Sequence, residues 1–173
     1  MNHLNRDELL SLLRVAKQQS ERDWLLLLTT FWHGLRASEA TGLKTEQIRD
    51  GYLSVQRLKG SLRTRQPLVA HKNPLLDEKT ALEQLVAGLP AKSRLFPISR
   101  VQFFRLVRKY GHEAGLPQHK NHPHTLKHSI AMQTIAKAGI ENVRQYLGHK
   151  SIASTGSYLR VSDEQASRAV QNI

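Results

Sequence analysis

The segment ERDWLLLLTTFWHG (21–34) limits the possible folds of this chain more than any other. A helix from Glu21 to His33 is too apolar to lie on a surface, so the other elements must pack around it. Gly34 supplies its stop. Ahead of it, Asn5 and Glu8 have the spacing of a capping box, and Leu9, Leu13 and Ala16 follow at helical intervals. A short third helix is expected over 38–43.

Near Asp50 and Gly51 the period changes. YLSVQRL (52–58) and LRTRQPLV (62–69) alternate like strands, with Gly60 and Ser61 as the turn between them. Pro67 puts the second strand at a sheet edge or a strand end. Helical patterns return over 77–87, up to Gly88, and from Ser99 to Tyr110. In the latter, Val101, Phe104, Leu106 and Val107 are expected inside, with Arg100, Arg105, Arg108 and Lys109 outside. The breaker-rich GLPQHKNHP (115–123) precedes helices over 125–137 and 141–147, each followed by glycine, and a short helix over 163–170. No repeat or linker divides the chain. The expected fold is mainly α with a small antiparallel β-hairpin, as a single domain over 1–173.

Charge narrows the function. There are 26 Lys and Arg against 14 Asp and Glu, a net charge of +12, and the excess is unevenly placed. Residues 56–72 carry five basic groups and no acid; residues 92–150 carry eleven against Glu113 and Glu141. Such a basic surface points to polyphosphate partners, above all nucleic acid. The absence of cysteine excludes disulfides and thiolate metal sites. No run approaches the ~20 apolar residues of a membrane span, and the polar N-terminus is no signal peptide, so a cytoplasmic location without membrane contact is expected.

The stretch HPHTLKHS (122–129) holds three histidines, a lysine and two hydroxyls, and no carboxylate. His124 and His128, four apart on a helix, have zinc-protease spacing, but Thr125 stands where the general base belongs and Lys127 adds repulsive charge. No metal is expected. An anion fits better: imidazole, guanidinium and ammonium groups neutralise charge building on a phosphoryl group. Similar groups occur in HGLRASE (33–39) and RLKGS (57–61), and LGHKSIASTGSY (147–158) adds His149 and Tyr158. A phenol beside a cation-lined phosphate can attack phosphorus and form a phosphotyrosine.

These motifs, in this order, resemble those of the tyrosine recombinases, or phage integrase family, across nearly the whole chain. The resemblance implies that family's catalytic-domain fold and site-specific cleavage and rejoining of DNA without metal or cofactor. It makes Arg36 the first catalytic arginine and Glu39 its supporting acid. Lys59 matches the hairpin lysine that protonates the departing 5′-oxygen. His124 matches the histidine of the His-x-x-Arg box, with His128 supporting. His149 belongs to the Leu-Gly-His box, and Tyr158 is the nucleophile. Arg57, Arg63, Arg65, Lys120 and Lys150 are expected to contact DNA. A homo-oligomer, a tetramer on double-stranded DNA, is expected too, with a C-terminal segment near 162–173 exchanged between copies.

Two departures stand out. Lys127 occupies the place of the second arginine, keeping the charge but losing the fork that grips two phosphate oxygens, which predicts reduced activity. The core-binding domain that most members place first does not occur in this sequence, which is expected either of an isolated catalytic domain or of a protein like the short fimbrial-switch invertases. Two other readings share these features: a catalytically silent DNA-binding relative, and a type IB topoisomerase-like enzyme that relaxes supercoils.

Overall fold

Helix α2 (Glu21–His33) runs through the middle of the molecule, buried along nearly its whole length. The computed structural model describes residues 2–58 and 60–156, so Lys59, Tyr158 and the helix expected over 163–170 lie outside the described residues. Around α2 pack α1 (Arg6–Gln19), α3 (Ala37–Thr41) and α6 (Pro123–Tyr146). Helix α1 starts at the expected box: the Asn5 side chain accepts from Glu8 N, and the Glu8 carboxylate accepts from Asn5 N, each at 2.8 Å. Its Leu9, Leu12, Leu13 and Ala16 make the inward stripe.

The small sheet is antiparallel, in the order β1 (Ile48–Arg49), β2 (Tyr52–Val55), β3 (Thr64–Pro67). Tyr52 pairs with Pro67 and Val55 with Thr64, so Pro67 sits on an edge strand as its missing N–H demands. Strand β1 was not foreseen, since two residues are too few to show alternation.

Helices α4 (Lys79–Ala87) and α5 (Arg100–Glu113) complete the shell, and α7 (Ile152–Gly156) follows α6. The inward face of α5 differs from expectation: Phe103, Val107 and Tyr110 are buried, whereas Val101 is 55% exposed. The Tyr110 hydroxyl donates to the buried Asp23 carboxylate at 2.6 Å, and this polar contact fixes the helix's rotation. Helix α6 begins at Pro123 and is broken at Gly139 (φ 77°, ψ 164°), giving the two expected helical pieces. No described helix is long and apolar enough to cross a membrane.

Candidate active site

Four separated motifs meet in one polar cavity of about 310 Å³, whose lining includes Arg36, Ser61, His124, Lys127, His149 and Lys150. Each is delivered by a local device. Gly34 takes the left-handed conformation (φ 58°) that closes α2. The chain can then reverse, burying Leu35 and starting α3 at Arg36.

Glu39 on α3 holds the arginine. Its carboxylate accepts from Arg36 N at 2.8 Å and Arg36 Nη1 at 2.9 Å. It also accepts from Leu58 N at 3.0 Å and Arg57 Nη1 at 3.3 Å, tying α3 to the hairpin. Burial pushes this carboxyl up, but the Arg36 and Leu58 amides, with Arg57 and Lys127, outweigh it and hold it below the ordinary carboxylate range. Glu39 therefore acts as a fixed anion under a cationic pocket.

Arg57 corrects an expectation. Expected at a DNA surface, it is 3% exposed and bonded on every side within the protein. Its Nε donates to Thr64 Oγ1 (2.9 Å), Nη1 to Gly34 O (3.3 Å) and Nη2 to His33 O (2.8 Å). A guanidinium's five donors suit a junction where several carbonyls and one carboxylate converge. Lys120 is also engaged, its Nζ lying 2.7 and 2.8 Å from the two Glu8 oxygens. Arg63, Arg65 and Lys150 are exposed as expected, with Arg65 stacked 3.6 Å over the Tyr52 ring.

Helix α6 places its residues by period. His124 and His128 stand side by side, ring centroids 6.2 Å apart, while Lys127 turns inward and is only 4% exposed. The Lys127 Nζ is shielded from water and has no hydrogen-bond partner among the described residues. Burial, reinforced by Arg36, pulls its pKa down to about 8. The same causes lower two histidines. His128 falls to about 4 through burial and the neighbouring His124, and His149 to about 4 through burial and then Lys127 and Arg36. Both are neutral at pH 7. His149 is turned by Gly148 (φ 70°), with its Nδ1 2.9 Å from Thr155 Oγ1.

Most of the described lining is legible in the sequence, but the orphaned state of the lysine and the internal role of Arg57 are not. Nor does the sequence single out His33, whose ring sits between Gln66 Oε1 (2.8 Å) and Glu78 Oε1 (2.7 Å) in the interior. Nothing in a linear motif marks such a contact, because Glu78 is 45 residues away.

The sequence matches the profile of the phage integrase family over residues 2–165. Tyrosine recombinase XerA of Pyrococcus furiosus is 29% identical over 175 residues, covering 97% of this chain and 60% of XerA. The type 1 fimbriae regulatory protein FimB of Escherichia coli K12 is 34% identical over 169 residues, covering 91% of this chain and 83% of FimB. The crystal structure of XerA superimposes with a TM-score of 0.77 at 21% identity, over 98% of this chain and 62% of that one. A lambda integrase dimer bound to a COC′ core site gives 0.76 at 22%, over 94% and 50%. At such identities these two structures establish a shared fold, and the chain spans about 60% of the length of XerA.

Proposed function

The chain belongs to the phage integrase family, and from that premise we propose that it is a site-specific DNA recombinase working through a 3′-phosphotyrosine. One observation carries the reading: the buried Lys127 Nζ lacks an acceptor among the described residues, in a cavity shared with Arg36, His124 and His149. A desolvated ammonium without a partner is costly, and anionic oxygen is what removes the cost. A phosphodiester supplies two such oxygens.

In this reading the double-stranded DNA lies across the exposed Arg63, Arg65 and Lys150, and the scissile phosphate enters the cavity. Tyr158 attacks phosphorus, leaving a 5′-hydroxyl, and His124 takes the phenolic proton. Arg36, held by Glu39, stabilises charge on the phosphorane, with His149 hydrogen-bonding a phosphoryl oxygen. A 5′-hydroxyl from a second strand reverses the step, so bond energy is conserved and no nucleotide or metal is needed. Several copies assemble on DNA, as a tetramer when two sites are joined, and the protein acts in the cytoplasm, with residues 1–173 forming a catalytic domain.

Covalent capture tests this. The protein is incubated with sheared host DNA, denatured, and the adduct recovered by its attached protein. Wild type should yield a denaturant-resistant adduct enriched in one sequence, and Tyr158→Phe should bind DNA equally well but yield none. Binding without any adduct would leave a silent DNA-binding relative. Relaxation of plasmids lacking the captured sequence would instead favour the topoisomerase-like reading.

A further inference from the structure

Lys127 stands where an arginine is expected, and the two side chains differ in more than shape. A guanidinium holds its protons too tightly to give one up near neutrality, whereas an ammonium can transfer one. We infer that Lys127 is an acid–base residue, donating a proton to the departing 5′-oxygen and recovering it on rejoining. This rests on the recombinase reading above, and it gives Lys127 a role that the resemblance assigns to Lys59.

The geometry supports it in three ways. First, Lys127 lines the cavity while its Nζ is shielded from water, and no described acceptor holds it. An ammonium already bonded to Glu39 would have its protons engaged. Here Glu39 is saturated by Arg36, Arg57 and Leu58, leaving Lys127 for the ligand. Second, the other described lining groups are otherwise engaged in this reading or poorly suited: His124 takes the phenolic proton, and Lys150 is exposed where the DNA lies. Arg36 keeps its protons, and His149 and His128, both lowered to about 4, carry no imidazolium at neutral pH. Third, the charged groups facing Lys127 are Arg36 and Arg57 on the cationic side and Glu39 on the anionic side. Burial and these cations leave it titrating near 8, matched to giving and taking a proton in a reversible reaction. A seated phosphodiester raises it again, keeping it charged when cleavage begins.

The step balances. The Tyr158 oxygen–phosphorus bond forms while the P–O5′ bond breaks, and the departing electron pair takes a proton from Lys127, leaving a neutral amine. On rejoining, the incoming 5′-hydroxyl loses its proton to that amine as its oxygen displaces the tyrosine.

The test is single-turnover cleavage of the captured site, as an ordinary phosphodiester and as a 5′-bridging phosphorothiolate whose thiolate leaves without a proton. Lys127→Arg and Lys127→Met should each slow the ordinary substrate about 100-fold or more and come within about tenfold of wild type on the sulfur substrate. Arg36→Ala should be slow on both. Equal defects on the two substrates, or Lys127→Arg as fast as wild type, would overturn the assignment, as would rescue of Lys59→Ala with no rescue of either Lys127 variant. Failure of the wild type to form an adduct with either substrate would instead remove the recombinase reading itself.

Discussion

Leu62 on the hairpin donates its N–H to Gly148 O at 2.8 Å, joining the β2–β3 turn to the segment that carries His149. The approach is close enough that a Cβ on Gly148 would lie 2.5 Å from Leu62 O and 2.9 Å from Thr64 Cγ2. Glycine is required twice over, since φ is also +70°. Gly148→Ala should lose at least about 1–2 kcal/mol from the left-handed backbone alone, and the clash adds to it. Urea denaturation measures the loss; an unchanged midpoint would mean that the hairpin is not held against this turn.

Arg57 and Arg63 lie six positions apart and should behave oppositely. Arg57→Ala removes a buried cation from beside Glu39 and leaves the His33 and Gly34 carbonyls short of a donor, at a cost of roughly 3–5 kcal/mol of stability. Arg63→Ala, at an exposed position, should leave stability within ~0.5 kcal/mol of wild type. It should also flatten the plot of log affinity against log salt by about 0.9, the release of one phosphate's counterion. Denaturation and salt-titrated binding, run on both proteins, separate the roles.

The His33–Glu78 contact is a buried pair with both side chains at 0% exposure. Val69 N also donates to Glu78 Oε1, at 3.0 Å, and Gln66 Nε2 reaches Tyr146 O at 2.7 Å. The pair thus joins the end of α2 to β3 and the end of α6. Glu78→Ala should destabilise by about 1–3 kcal/mol, because the buried His33 ring nitrogen and the Val69 N–H lose their hydrogen-bond partner. The double variant with His33→Ala should cost less than the two singles added together. Strict additivity in that cycle would mean that the imidazole and the carboxylate do not interact.

Lys127 costs the fold stability. Its folded pKa of about 8 lies below the ordinary lysine value of 10.5, so folding is penalised wherever the unfolded chain's lysine is charged. Below pH 8 the penalty is complete; between 8 and 10.5 the unfolded chain binds more protons and stability rises with pH; above 10.5 the penalty is gone. Lys127→Met should therefore stabilise the protein by roughly 1–3 kcal/mol at pH 7 and cancel that rise. A methionine variant less stable than wild type at pH 7 would contradict the view of Lys127 as an uncompensated cation.

Much of this protein was decided locally and could be read along the chain. The Asn5–Glu8 box, the stops at Gly34 and Gly148, the hairpin with Pro67 on its edge and the breaks around α6 follow from backbone preferences and hydrophobic period, which neighbouring residues set by themselves. The order of HGLRASE, RLKGS, HPHTLKHS and LGHKSIASTGSY carried the family because a shared chemistry needs the same residue types in the same succession. What needed the tertiary structure was the allocation of charge. Sequence shows that Arg57, Arg63, Lys120 and Lys127 are all cations. Only packing decides that Arg57 and Lys120 are consumed by Glu39 and Glu8, that Arg63 faces water, and that Lys127 is desolvated with no acceptor among the described residues. The reason is physical: solvation and partners set what a charge does, and both come from elements distant in sequence, as Glu8 is from Lys120 across 112 residues.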